Sequence, residues 1–368
     1  MTKLQQLFVE QGQSPWLDNL ERSYLRDGTL ARLIDAGIRG VTANPTIFAR
    51  AIEGSDDYDE QFRALVAQGS SVTDAYWELV VTDVVDACEE FRELFDASGS
   101  VDGFVSIEVA PEVAHDTDAT AKVARALHRR IAQPNVFVKI PATAEGIPAI
   151  RRMTAEGHSI NITLLFSLGR YVEVIDAYLE GLEAFAATGG DVSTVHSVAS
   201  FFVSRVDTEV DRRLESLATE ETRPLLGRAA IAQAKLAYQM FGERFADARW
   251  EALARRGAHV QRLLWASTST KDPTYTDTRY VDGLIGPETV NTLPEATIDA
   301  FEDHGHVART LDRDVDDARD VLNRLAAVGI DMNDVGLTLE ADGVTSFHES
   351  FRHVLGALTT KSRQLVTG

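Results

Sequence analysis

Residues 136–141, Val-Phe-Val-Lys-Ile-Pro, form a short apolar run between two segments of helix length. A run this rich in β-branched and aromatic residues is typical of a strand buried on both faces of a parallel sheet. Seven similar runs occur along the chain, and most are separated by segments whose apolar residues recur every three or four positions. The eight runs cover residues 15–19, 38–45, 104–111, 136–141, 159–165, 194–202, 260–266 and 289–293. Eight strands that alternate with helices predict an α/β fold and favour a (β/α)8 TIM barrel over an open sheet.

The domain organisation follows from the absence of any stretch with linker composition. Residues 1–368 are therefore predicted to form a single barrel domain with additional helices. The longest insertion, at about residues 47–100, reads as several helices between the second and third strands. A C-terminal helical extension is predicted at about residues 331–368, and its final helix, at about 345–365, is expected to pack on the barrel.

The charge balance limits the kind of partner this chain can bind. There are 36 Lys+Arg against 57 Asp+Glu, which gives a formal net charge of −21 at pH 7. This acidity argues against nucleic-acid binding, which requires a basic face. No apolar run is long enough to span a membrane, and residues 1–12 lack the pattern of a signal peptide. We therefore expect a cytoplasmic protein, with no nucleic acid or membrane among its partners.

The candidate chemistry lies at the ends of the predicted strands. The commonest dinucleotide, nucleotide, zinc-protease and serine-hydrolase motifs are absent, and the single cysteine, Cys88, excludes a disulfide or Cys-based metal cluster within the chain. Polar residues instead follow or end the apolar runs, and in a (β/α)8 barrel the carboxyl ends of the strands form the active-site face. These residues are Asp18, Asn44, Glu108, Lys139, Asn161, Thr163, Ser200 and Ser267.

Lys139 is the most informative of these residues because it lies inside an apolar strand. A buried ammonium ion is costly unless it is paired, and burial favours the neutral amine, which is the nucleophilic form. An interior lysine beside carboxylates and amides suits carbonyl chemistry through a Schiff base. The alternative is a buried ion pair with Glu108 on the neighbouring strand, and the residues alone leave both interpretations open.

Five segments of the chain resemble the signature segments of the transaldolases, in that family's order and spacing. They read WLDNL (16–20), GVTANPTIF (40–48), VSIEV (105–109), VKIPAT (138–143) and INITLLFS (160–167). The resemblance extends from about residue 4 to residue 358. The TxNPT and VKIPAT segments together are highly specific for this superfamily.

The resemblance implies catalytic roles at four positions. Lys139 matches the lysine that forms the Schiff base with the C2 carbonyl of a ketose. Asp18 matches the residue that takes the proton from the C4 hydroxyl during carbon–carbon cleavage. Glu108 matches the carboxylate that, with Thr163 and a bound water, moves protons during carbinolamine dehydration. The residues that the resemblance places against substrate hydroxyls, the phosphate group or the pocket wall are Asn44, Asn161, Ser200, Phe202 and Arg205.

One segment departs from the family pattern. Many transaldolases have an Ala-Ser-x-Arg segment after the seventh strand, and its arginine binds phosphate. Here residues 266–271 read Ala-Ser-Thr-Ser-Thr-Lys, so that Ser269 stands at the arginine position and Lys271 follows two residues later. We hypothesise that Lys271 replaces the lost charge and that Ser267 adds a hydrogen bond to the phosphate. The alternative for Lys271 is a solvated loop lysine.

The resemblance also implies the reaction. A dihydroxyacetone unit would pass from sedoheptulose 7-phosphate to glyceraldehyde 3-phosphate, giving erythrose 4-phosphate and fructose 6-phosphate, in the non-oxidative branch of the pentose phosphate pathway. No metal or organic cofactor is implied, and a monomer or homodimer is expected. Two alternatives remain: a Schiff-base aldolase that cleaves fructose 6-phosphate or deoxyribose phosphate without an acceptor, and a non-catalytic barrel that binds sugar phosphates.

Overall fold

A computed structural model describes residues 1–367 of the chain, and its side chains as far as residue 364. Eight parallel strands form a closed barrel in sequence order, with the eighth strand paired to the first. The strands are β1 (Gln13–Leu17), β2 (Gly40–Thr42), β3 (Phe104–Glu108), β4 (Val136–Pro141), β5 (Ile160–Leu165), β6 (Ser197–Phe202), β7 (Gln261–Ala266) and β8 (Thr289–Leu293). The predicted (β/α)8 barrel is thus confirmed. Seven of the predicted runs contain one strand each, and the first run, 15–19, overlaps β1, which begins two residues earlier.

Helices surround this barrel and cover the outer faces of its strands. They are α1 (Lys3–Gln11), α2 (Arg22–Arg26), α3 (Thr29–Asp35), α4 (Pro45–Gly54), α5 (Asp59–Ala67), α6 (Val72–Glu90), α7 (Arg92–Ala97), α8 (Thr117–Ile131), α9 (Gly146–Ala155), α10 (Leu168–Ala187), α11 (Ser204–Leu217), α12 (Ala229–Arg244), α13 (Ala248–Ala254), α14 (Arg279–Asp282), α15 (Glu295–His304), α16 (Val315–Ala327) and α17 (Met332–Thr367). Helices α4 to α7 occupy the long segment between β2 and β3. None of the helices in residues 1–367 combines the length and apolarity needed to span a membrane.

Helix α17 is one continuous helix where the sequence predicted a helical extension, from about residue 331, made of more than one element. A final helix was expected to begin near residue 345, whereas a continuous helix begins at Met332. Gly336 and Gly343 weaken the helical pattern in its first half, because glycine is a poor helix former. Both lie against the barrel: a Cβ at Gly336 would come within 2.8 Å of Ser167 Cβ, and one at Gly343 within 2.8 Å of a methyl carbon of Leu164. The two glycines therefore let α17 pack closely across the carboxyl end of β5.

The strand register places the predicted polar residues at one end of the barrel. Glu108 in β3 lies opposite Lys139 in β4, and Lys139 lies opposite Asn161 in β5. A buried ion cluster lies at the other end of the barrel, where Asp102 accepts hydrogen bonds from Arg39 at 2.6 Å and from Arg262 at 3.1 Å. Because the carboxyl ends of all eight strands face the same way, the reactive side chains lie together at one end of the barrel.

Candidate active site

A cavity of about 360 Å³ opens at the carboxyl ends of the strands. Most of the residues predicted from the sequence line it. They are Asp18, Asn44, Lys139, Thr163, Ser200, Phe202, Arg205, Ser267 and Lys271. The two remaining predicted residues do not line it: Glu108 lies behind its wall, and Asn161 lies beneath its floor. The predicted residues are therefore brought together, although they come from distant parts of the chain.

Lys139 lies at the floor of this cavity with only 5% of its surface exposed. Its Nζ donates a hydrogen bond to the carbonyl oxygen of Ala43 at 3.3 Å and lies 3.3 Å from Glu108 Oε2. The Ala43 carbonyl and the Glu108 carboxylate occupy two directions around the nitrogen. The third direction faces the cavity that the Lys139 side chain lines. The amine is therefore positioned to meet an electrophilic carbon bound there.

Glu108 is buried behind Lys139, and burial raises the pKa of its carboxyl while the charge of Lys139 opposes that rise. Its Oε2 atom forms an ion pair with Lys139 but has no hydrogen-bond partner with suitable geometry among the described residues. The hydroxyl oxygen of Thr163 is also buried and without such a partner. Buried polar oxygens are usually satisfied, and an unpaired one calls for an explanation such as a catalytic role or a bound water. Both oxygens are free to exchange protons with a group bound near Lys139.

A β-bulge lies beside Thr163 in β5. The pairing of β5 with β6 shifts register between Ile162 and Leu165, and Leu164 adopts a left-handed backbone conformation with φ of 55°. Such a conformation is uncommon for a residue with a branched side chain and is often found near active sites. Asn161 and Thr163 were expected on one face of this strand, and both are directed into the barrel: Asn161 bonds Ser106 and Ser200, and Thr163 lines the cavity.

Asn161 and Asn44 use part of their amides within the protein. Asn161 donates to Ser106 Oγ at 3.0 Å and accepts from Ser200 Oγ at 2.7 Å, so it supports Ser200 from beneath the floor. The side-chain oxygen of Asn44 caps α4 by accepting from the backbone N–H groups of Thr46 and Ile47 at 2.9 and 3.0 Å. The cap leaves the amide nitrogen of Asn44 as a donor at the cavity wall.

Asp18 follows β1 and is fixed by a chain of two threonine hydroxyls. Thr42 Oγ1 donates to Asp18 Oδ1 at 2.7 Å, and Thr42 Oγ1 lies 2.6 Å from Thr292 Oγ1. Because Thr42 gives its proton to the carboxylate, Thr292 is the donor in the second bond. Burial raises the pKa of Asp18, whereas Lys139 and the Thr42 hydrogen bond act in the opposite direction. The site therefore holds two carboxyl groups in different environments.

Positively charged side chains lie on another side of the cavity. Arg205, in the first turn of α11, lies with its guanidinium carbon 5.4 Å from the centre of the Phe202 ring, and burial lowers its pKa. Lys271 donates to Ser269 Oγ at 2.9 Å, so the serine at the family's arginine position orients the lysine. Burial and the charge of Arg205 lower the pKa of Lys271. This arrangement suits an anionic ligand group.

Several residues that line the cavity were not selected from the sequence. They are Thr46, Ile47, Arg50, Thr292, Pro294, Ser346 and Phe347. Thr42 and Ser269, which also line the cavity, are recognised in the sequence without a predicted catalytic role. Thr292 could have been found, because it lies near the carboxyl end of β8 like the other predicted residues. Arg50, Ser346 and Phe347 lie on helices, where no local pattern marks them. Only the packing of α4 and α17 against the barrel brings them to the site.

A second cavity, of about 430 Å³, lies at the opposite end of the barrel. Its wall includes Phe104, His196, Trp250 and His259, and none of the predicted site residues. Burial lowers the pKa of His196 to about 3, so its imidazole is neutral at physiological pH. The smaller cavity is therefore the candidate active site, on the evidence of its nucleophile, its carboxyl groups and its cations rather than its size.

Comparison with known proteins gives a consistent result. A family model described as "Transaldolase/Fructose-6-phosphate aldolase" matches residues 15–358. A transaldolase of Frankia alni is 51% identical over 349 residues, which are 94% of each chain. A transaldolase of Acidothermus cellulolyticus is 51% identical over 350 residues, 95% of this chain and 94% of the relative. A transaldolase of Thermobifida fusca is 50% identical over 354 residues, 96% of each chain.

Proposed function

The chain belongs to the transaldolase/fructose-6-phosphate aldolase family, and its relatives within it are transaldolases; from this we propose that it transfers a dihydroxyacetone unit through a Schiff base on Lys139. The donor is sedoheptulose 7-phosphate and the acceptor is glyceraldehyde 3-phosphate. The products are erythrose 4-phosphate and fructose 6-phosphate. One observation carries the proposal: the Lys139 amine, at the floor of a cationic cavity, lies 3.3 Å from Oε2 of the buried Glu108 carboxylate.

The first half of the proposed reaction forms and then uses an imine. The neutral amine of Lys139 adds to the C2 carbonyl of the ketose, and Glu108 donates the proton with which the carbinolamine oxygen leaves as water. Asp18 accepts the proton of the C4 hydroxyl as the C3–C4 bond breaks. The electron pair of that bond moves to the iminium nitrogen, which gives a neutral enamine and releases the shortened aldehyde.

The second half reverses these steps with a different aldehyde. The enamine carbon attacks the acceptor carbonyl, and Asp18 returns its proton to the new C4 oxygen. Water then hydrolyses the imine, with Glu108 as the base that activates it, and frees Lys139. The two carboxyl groups need different environments for these roles, and their different partners, Thr42 for Asp18 and Lys139 for Glu108, support that division.

The proposal includes the setting of the enzyme. Its substrates are sugar phosphates of the non-oxidative branch of the pentose phosphate pathway, and we place the protein in the cytoplasm, where such compounds are interconverted. The single barrel domain, the monomeric or homodimeric state and the lack of a cofactor remain predictions from the sequence and the family resemblance.

An acceptor-dependence assay tests the proposal against its alternatives. Fructose 6-phosphate is incubated with and without erythrose 4-phosphate, and glyceraldehyde 3-phosphate release is followed by a coupled enzyme. A transaldolase releases it in quantity only when erythrose 4-phosphate is present and forms sedoheptulose 7-phosphate. Equal release without the acceptor, together with free dihydroxyacetone, would identify an aldolase. No product and no borohydride-trapped adduct would indicate a barrel that only binds sugar phosphates.

We predict that Arg205→Ala and Lys271→Ala impair the use of phosphorylated substrates selectively. The net charge of −21 repels a phosphate dianion at long range, so affinity must come from local contacts. Loss of one charged contact should cost on the order of 2–4 kcal/mol of transition-state binding, which lowers kcat/KM for fructose 6-phosphate by about 30- to 1,000-fold. Unphosphorylated fructose should be affected little. The measurement is kcat/KM on both substrates.

The control for this comparison is Arg63→Ala, which removes an exposed arginine of α5 outside the cavity lining. It should leave both substrates unaffected. Equal losses on fructose and fructose 6-phosphate in Arg205→Ala or Lys271→Ala would show that these side chains support the fold rather than hold the phosphate.

We predict that Thr42→Val moves the acidic limb of the pH–rate profile to higher pH. Asp18 acts as a base only when it is ionised, so activity falls as the pH drops through its raised pKa. The Thr42 hydrogen bond favours the ionised form, and its removal raises that pKa further. Thr42→Ser, which keeps the hydroxyl, should retain the wild-type limb. If the pH–rate profiles of Thr42→Val and Thr42→Ser were identical, Asp18 would not be the base whose titration sets the acidic limb.

A further inference from the structure

Arg50 of α4 joins Arg205 of α11 and Lys271 of the β7–α14 loop in the lining of the active-site cavity. Neither Arg50 nor Arg205 forms a hydrogen bond or a close ion pair with another residue that the structure describes. Lys271 donates to Ser269, which carries no charge. Many other arginines of the chain pair with carboxylates, as Arg125 does with Glu156 at 2.6 Å. Three cations without a close anion in so acidic a chain indicate a site that an anion completes.

The electrostatics of the cluster point in the same direction. Arg205 and Arg50 both lower the pKa of Lys271, after the larger effect of burial, so the three positive charges repel one another. The carboxylates that act on Arg205 do so from beyond ion-pair distance, and two of them, Glu108 and Asp18, carry proton-transfer roles in the proposed reaction. Bringing like charges together costs free energy that a bound dianion recovers.

The position of Arg50 is fixed by the elements around it. Helix α4 begins directly after β2, with Asn44 as its N-cap and Pro45 in its first turn. It is held against α17 by a hydrogen bond of 2.8 Å between the Thr46 and Ser350 hydroxyls. Arg50 is therefore carried by a helix anchored at one end to the barrel and along its side to α17, although its own side chain is exposed.

We propose that Arg50 is a third phosphate-binding residue, which together with Lys271 supplies the charge lost where the family's arginine is replaced by Ser269. This inference rests on the proposed function for the identity of the ligand, a phosphate monoester at the end of the sugar remote from the reacting carbonyl. A guanidinium offers a planar fork that matches two phosphate oxygens, whereas the ammonium of Lys271 is a point charge. The phosphate is held from three elements: α4, α11 and the β7–α14 loop.

The proposal predicts a defect in binding rather than in chemistry. Arg50→Ala should raise KM for fructose 6-phosphate by about tenfold, the size of one hydrogen bond to a charged group at an exposed site, with little change in kcat. Arg50→Lys should fall between alanine and wild type, because charge is kept while the fork is lost. The unfolding temperature should stay at the wild-type value, since Arg50 has no close partner among the described residues.

The test measures four proteins, wild type, Arg50→Ala, Arg50→Lys and Arg63→Ala, with two readouts. The first is KM and kcat on fructose 6-phosphate and on fructose, with saturating erythrose 4-phosphate. The second is binding of inorganic phosphate, followed by calorimetry, which needs no turnover. We expect weaker phosphate binding and a higher KM for the phosphorylated ketose only in the Arg50 variants.

Two outcomes overturn the inference. In the first, Arg50→Ala binds inorganic phosphate and fructose 6-phosphate as wild type does, while wild type still shows acceptor-dependent transfer; the proposed function then stands without a role for Arg50. In the second, Arg50→Ala impairs fructose and fructose 6-phosphate equally, which assigns Arg50 to the shape of the site. A third result would overturn the proposed function alone. In that case the wild-type enzyme shows no transfer, while Arg50→Ala still weakens the binding of inorganic phosphate.

Discussion

Lys139→Ala is expected to abolish transfer, with a loss in kcat on the order of 10⁶-fold, the size found when a covalent nucleophile is removed. Without the amine no imine forms, so the electron pair of the C3–C4 bond has no acceptor. Borohydride treatment of the wild-type enzyme with fructose 6-phosphate should add the mass of the reduced three-carbon or hexose adduct to the peptide that contains Lys139. That adduct should be missing from Lys139→Ala.

A matched control separates this role from a structural one. Lys122→Ala removes an exposed lysine of α8 and should keep both the adduct and the activity. Lys139→Met keeps the length of the side chain and removes its amine, so a folded but untrappable Lys139→Met protein supports the covalent role. If Lys139 only formed an ion pair with Glu108, borohydride would label neither variant nor wild type. An adduct that persists in Lys139→Ala at the wild-type level would disprove the assignment.

Asp18→Asn and Glu108→Gln are expected to fail at different steps, each by about 10²- to 10⁴-fold, the usual contribution of a general acid or base. Asp18→Asn should trap a borohydride adduct at the wild-type rate and release the aldehyde slowly, because the C4 hydroxyl has lost its base. Glu108→Gln should slow the formation of the imine itself, because the carbinolamine has lost its proton donor. Single-turnover trapping and aldehyde release are measured on the same enzyme samples.

The contrast between the two variants is what the structure makes testable. Asp18 accepts from Thr42, whereas Glu108 faces Lys139, so the two carboxyl groups contact different parts of the bound substrate in the proposed reaction. An unchanged trapping rate in Glu108→Gln would show that imine formation does not depend on it. A slow trapping rate in Asp18→Asn would show that the division of roles is wrong.

The sequence predicted the barrel because its signal is local and repeated. Apolar runs of strand length and helical segments of period 3.6 can be recognised within short windows, and eight alternations leave few topologies. The same reasoning located the polar residues at strand ends, since the carboxyl ends of parallel strands share one face. It predicted a helical extension after residue 331 but missed that α17 is continuous through Gly336 and Gly343, which are explained by contact with Ser167 and Leu164 rather than by helix propensity.

The sequence could not predict the role of residues whose function depends on packing. In the sequence, Arg50 looks like any charged residue on the polar face of an amphipathic helix. Its position at the cavity becomes visible only when α4 is packed against the barrel. Ser269 breaks the family pattern in the sequence, and the hydrogen bond that it accepts from Lys271 is visible only in the folded loop.

What the sequence determined by itself was the eightfold alternation of strands and helices, the buried position of Lys139 and the set of polar groups that end the strands. These features depend on neighbours along the chain, and short-range periodicity and burial preference are enough to reveal them. Only the tertiary structure decided the 3.3 Å approach of Lys139 to Glu108, the hydroxyl chain behind Asp18 and the meeting of Arg50, Arg205 and Lys271. Their arrangement is set by the closure of the barrel and by the helices that pack over its mouth, because electrostatic and hydrogen-bonding effects depend on distances through space rather than on separation along the chain.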